Sequence, residues 1–77
     1  MTTQTADVMI YTPNAIESQV FTALEEKMKT LDGIVEFKRH PHIPTLIQVV
    51  YQTQRVRALA ILNKMTRSGF NASLVGM

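Results

Sequence analysis

The chain has 77 residues, 45% of them apolar and 18% charged, with a formal net charge of +2 and no cysteine. That length allows one domain, the apolar fraction suffices for one core, and the charge content argues against disorder. Without cysteine there is no disulfide staple and no thiolate metal site. A domain this small buries only about 60% of its unfolded surface, so packing or oligomerisation must supply its stability.

Residues Met1 to Asp7 are short and polar. They lack the basic and apolar regions of a signal peptide, and no apolar run nears the roughly 20 residues that span a bilayer. Residues 1–6 read as a flexible N-terminus, and the expected location is the cytoplasm. Val8 to Thr12 is a β-prone run ended by Pro13-Asn14. Asn14 is placed to cap a helix, with Glu17 three residues on to complete a capping box. Val20, Phe21, Leu24, Met28 and Leu31 then recur at helical spacing, which predicts an amphipathic helix of about 16 residues. Asp32-Gly33 ends it, with glycine supplying the left-handed position.

Ile34 to Lys38 reads as a strand with Val35 and Phe37 on one face and Glu36 and Lys38 on the other. His40-Pro41-His42-Ile43-Pro44 cannot continue a central strand, because two prolines remove two ladder donors. Thr45 to Tyr51 is the strongest strand, rich enough in β-branched residues for a central position. Thr53 is placed to cap a second helix with the apolar face Ala58, Leu59, Ile61, Leu62 and Met65, ended by Gly69. Phe70 to Val75 alternates as a last strand. The order β-α-β-β-α-β predicts an α+β, ferredoxin-like sandwich in one domain over residues 1–77. Its antiparallel four-stranded sheet carries both helices on one face, because the crossovers are right-handed. The other face is open, with Glu36, Lys38, Gln48, Asn71 and Ser73 expected on it.

The pattern from Val8 to Val75 resembles the heavy-metal-associated domain of copper chaperones and metal-pumping ATPases. The resemblance rests on Val20, Ala23 and Leu24 in the first helix, the Gly33-Ile34 step, and the closing Ser68-Gly69-Phe70-Asn71-Ala72. It implies the same fold. That family binds soft metal through two cysteines spaced three apart in the first strand–helix loop. Here the loop is Thr12-Pro13-Asn14-Ala15-Ile16, without thiol or imidazole, so no ligand carries over. Small chaperones of periplasmic nitrate reductase are similar in element order and in a last strand like Ala72-Ser73-Leu74-Val75. That second resemblance implies signal-peptide binding along the sheet.

Two constellations remain. His40 and His42 are the only histidines, and their spacing in an extended segment puts both imidazoles on one side. There they could share zinc, copper or nickel across an oligomer. Otherwise no cofactor is expected, and the five methionines read as core fillers rather than thioether ligands. Arg55, Arg57, Lys64 and Arg67 form a basic surface suited to a partner. The first 36 residues hold all six acids and two lysines, a net −4, and the rest hold six bases and no acid, a net +6. Such asymmetry orients a protein partner or a second copy. Nucleic acid is not the expected partner, since the stacking aromatic motif of ferredoxin-like RNA binders is missing, and neither is a membrane. No nucleophile–base pair or phosphate-cradling loop stands out. The expected function is therefore a non-catalytic binding or adaptor protein acting through protein contacts.

Overall fold

The computed structural model describes residues 4–75. Six elements follow in the predicted order: β1 (Thr5–Tyr11), α1 (Ser18–Lys29), β2 (Ile34–Arg39), β3 (Leu46–Gln52), α2 (Ala58–Arg67) and β4 (Ser73–Val75). The strands form one antiparallel sheet in the order β2-β3-β1-β4, so the fold is the expected ferredoxin-like one. The most β-branched strand, β3, is central, where both of its edges find partners.

Register explains the two faces. Val8 pairs with Val49 and Ile10 with Ile47, and all four are buried. Leu24 and Met28 of α1 and Ile61 and Met65 of α2 close over that same face, together with Phe37. The alternate residues point away: Met9, Tyr11, Leu46, Val50 and Val75 form an apolar centre, bordered by Glu36, Lys38, Asp7 and Gln48. Glu36, Lys38, Gln48 and Ser73 lie on the open face as expected, whereas Asn71 precedes β4. Met28 and Met65 are core residues, but Met9 belongs to the open face and is half-buried. Met1 and Met77 lie outside the described residues, as do positions 1–3 of the N-terminal segment.

Several local expectations are displaced. β1 takes in Thr5 and Ala6, which pair with Gln52 and Tyr51 and so are strand rather than tail. Val35 is not on the core face. A bulge between Ile34 and Glu36 lets Ile34 take the inward place, and Val35 is left 49% exposed. Leu59, expected on the apolar face of α2, is 62% exposed. The last strand is reduced to three residues, although Phe70, Ala72 and Leu74 all pack against the core.

Neither helix has the cap expected for it. α1 begins at Ser18 with Glu17 at the N-cap and no side-chain capping bond. The residues before it are otherwise engaged. Thr12 N–H donates to the Thr45 carbonyl at 2.9 Å, and its hydroxyl donates to the Asn14 carbonyl at 2.9 Å. Thr53 N–H donates to the Gln4 carbonyl at 3.1 Å, and the N–H groups of Arg55 and Val56 both turn back onto the Gln52 carbonyl. That turn buries Val56 and delays α2 to Ala58.

The helix ends differ as well. Past α2, Gly69 has φ 95°. Phe70 N–H reaches the Met65 carbonyl at 3.2 Å, and Gly69 N–H reaches that of Thr66 at 3.1 Å. That is a Schellman close, with Met65 in the core and Phe70 packed against that core. Gly33, at φ 104°, lies three residues beyond the C-cap Thr30. It occupies the third position of the turn Leu31–Ile34, which needs a positive φ there.

Candidate functional site

The first strand–helix loop stands at one end of the sheet. Thr12 is its buried polar residue, and both its N–H and its hydroxyl are spent on backbone carbonyls. The loop is held from across the sheet by Arg39. Its guanidinium donates to the Ile16 carbonyl and lies 4.7 Å over the Phe21 ring. Phe21 stacks on Phe37 with ring centroids 5.5 Å apart. Arg39 thereby ties β2 to the loop and to α1, a role that only the paired structure reveals. Beside the loop is an open cleft of about 370 Å³, lined by Thr12, Asn14, Ile16, Glu17, Val20 and Phe70 among others. Its polar side chains are the Asn14 and Asn71 amides, the Thr12 hydroxyl and the Glu17 carboxylate. Such a set suits contact with a polar or weakly apolar surface and offers nothing to a soft metal.

No family model and no curated protein matches the chain. Solved structures share its fold, among them the following two. Oxidized MerP from Ralstonia metallidurans CH34 superposes with a TM-score of 0.78 at 11% identity, covering 94% of this chain and 99% of that one. A copper-binding domain from HMA7, a P-type ATPase, superposes with a TM-score of 0.77 at 13% identity, covering 91% and 93%. At such identities the likeness is one of fold alone, the ferredoxin-like α+β fold described above.

His40 and His42 occupy the turn between β2 and β3. Their ring centroids are 6.2 Å apart. His40 Nδ1 accepts the N–H groups of His42 and Ile43, each at 3.1 Å, which fixes the ring and leaves Nε2 as its free nitrogen. Among the described residues no group of three His, Cys, Asp or Glu side chains gathers to hold a metal.

The four basic residues divide. Arg55 precedes α2 rather than lying on it, and its Nη1 is 3.1 Å from Asp32 Oδ2. Arg57 sits at the N-cap of α2. Lys64 and Arg67 lie in its last turn and line a cleft of about 440 Å³ between the helices, together with Lys27 of α1. The sequence had not grouped Lys27 with them. Its signal was present in the helical spacing, since it stands three residues after Leu24 and four before Leu31. No helix among the described residues is long and apolar enough to cross a membrane.

Proposed function

We propose that this chain is a small, non-catalytic cytoplasmic binding protein that works through protein contacts on a heavy-metal-associated-like scaffold without a thiolate site. The observation that carries this reading is the first strand–helix loop. At the place where the resembling family puts two cysteines, Thr12 is buried with its hydroxyl bonded to the Asn14 carbonyl, and Thr12 to Ile16 offer no thiol or imidazole. A titration with copper(I) and with zinc at neutral pH is expected to give no tight stoichiometric complex. Tight one-to-one binding would overturn the reading.

The open sheet face supplies one surface for such contacts, including contacts with a second copy. Tyr11 and Val75 are 43% and 45% exposed there, next to Met9, Leu46 and Val50. A charge placed in that apolar centre would have to be desolvated on docking. Tyr11→Asp is therefore expected to weaken any concentration-dependent self-association about tenfold or more by sedimentation. A variant that associates as the parent does would remove this face from the proposal.

A second reading is favoured by the fixed His40 ring, which leaves Nε2 free near His42. Two copies could then complete a zinc, copper or nickel site between them. In that case added metal drives dimerisation and the His40→Ala/His42→Ala double variant abolishes it. Association indifferent to metal rejects this second reading.

A further inference from the structure

We infer that the groove between α1 and α2 seats an acidic, amphipathic helix of a partner protein. This rests on the protein-contact reading above and gives it a surface and a partner chemistry. Two clefts, of about 440 Å³ and about 640 Å³, meet at Leu31, Ala60 and Asn63, which line both, and together they run as a channel along α2. The ten residues of α2 give it a length of about 15 Å, enough for some three turns of a docked helix.

Charge along the channel has one sign. Lys27, Lys64 and Arg67 stand at one end, and Arg55 and Arg57 at the other. Asp32 occupies Arg55, while Lys27, Arg57, Lys64 and Arg67 form no ion pair among the described residues. No carboxylate lines either cleft. Between the basic ends lies an apolar seat made by Leu31, Ala60 and Leu59. At 62% exposure, Leu59 leads the exposed large apolar side chains among the described residues. An apolar stripe flanked by acids matches both features, which is the helix-in-groove mode of recognition. Single-stranded nucleic acid would match only the charge. It binds by stacking bases on aromatic rings, and no aromatic residue lines the channel. The channel also lies at the C-terminal end of α1, away from the first strand–helix loop at its N-terminus.

The probe is a synthetic helix of about 16 residues, with leucines at helical spacing and glutamates between them. Titrated into isotopically labelled protein, it should shift the amides of Lys27, Leu31, Ala60, Asn63 and Lys64 saturably. Raising the salt from about 20 mM to about 200 mM should weaken its binding several-fold. The Lys64→Glu/Arg67→Glu double variant should weaken it about tenfold or more, and Leu59→Ala about threefold. The amide spectrum of each variant reports whether the fold is kept. Binding with shifts confined to the open sheet face overturns the groove inference and leaves the protein-contact reading standing. Groove shifts produced as strongly by oligouridine as by the peptide overturn the choice of partner. A monomer showing no shift with the peptide, at the groove or on the sheet, overturns both.

Discussion

Replacing Phe37 by alanine should remove a large share of the protein's stability. Phe37 is 2% exposed, pairs with Val49 in the sheet, and stacks on Phe21 at 5.5 Å. Removing a buried phenylalanine costs about 3–5 kcal/mol. Native stability of roughly 0.05–0.15 kcal/mol per residue gives a chain this long a total of about 4–12 kcal/mol. The loss reaches beyond the ring itself, because Phe21 also carries the Arg39 guanidinium that holds the Ile16 carbonyl. Phe37→Leu keeps most of the volume and should cost about 1.5 kcal/mol or less. Urea unfolding followed by circular dichroism separates the two. With a slope of about 1 kcal/mol per molar, the alanine variant should be unfolded in buffer or have its midpoint lowered by about 3 M. A shift as small as that of Phe37→Leu would mean that Phe37 does not anchor this core.

That aromatic cluster also marks where sequence reading succeeds and where it stops. Phe37, Leu24, Met28, Ile61 and Met65 are legible as core because each sits in a periodic pattern, and periodicity survives small shifts in element boundaries. Val35 and Leu59 satisfy the same patterns and are nevertheless exposed. A bulge inserts one residue into β2 and moves Val35 off the inward face, a change visible only in the pairing with β3. Leu59 lies in the first turn of a helix that starts later than Thr53 suggests, because Val56 is drawn into the core before it. Asn14 has the right chemistry for a cap, but α1 begins only at Ser18, with Glu17 at the N-cap. At Val35 and Leu59 a tertiary contact overrides a correct local preference.

The candidate surfaces show the same division. The lack of thiol and imidazole from Thr12 to Ile16 is readable from composition, since it depends only on which side chains are present. The basic cluster is half-readable. Lys64 and Arg67 share a helix, but Lys27 joins them only because two antiparallel strands deliver α1 and α2 side by side. Arg39 is not readable at all as a tether, since its partners Ile16 and Phe21 are distant in sequence and meet it only when β2 takes its place in the sheet.

Gly33→Ala is the second substitution expected to have a large effect, and Gly69→Ala is its control. Both glycines have positive φ, 104° and 95°, so alanine is strained at either place by about 1–2 kcal/mol. Their surroundings differ. A Cβ at Gly33 would lie 2.9 Å from Arg55 Cβ and 3.0 Å from Val56 Cγ1, whereas one at Gly69 meets nothing within 4 Å. Arg55 Cβ is anchored to the backbone and Val56 is buried, so the overlap cannot be relieved by swinging a flexible side-chain end. Overpacking of that kind adds about 1–3 kcal/mol. Gly33→Ala should therefore destabilise by about 2–5 kcal/mol and Gly69→Ala by about 1–2 kcal/mol, measured by urea unfolding. Equal effects would mean that backbone strain alone matters and that the Val56 turn can move freely. The strained turn is also coupled to the proposed groove. The Gly33 carbonyl accepts Gln52 N–H at 2.7 Å, Asp32 beside it pairs with Arg55, and Leu31 before it lines the channel. Displacing this turn should thus disturb peptide binding at the Arg55 end of the groove, which Gly69→Ala leaves intact.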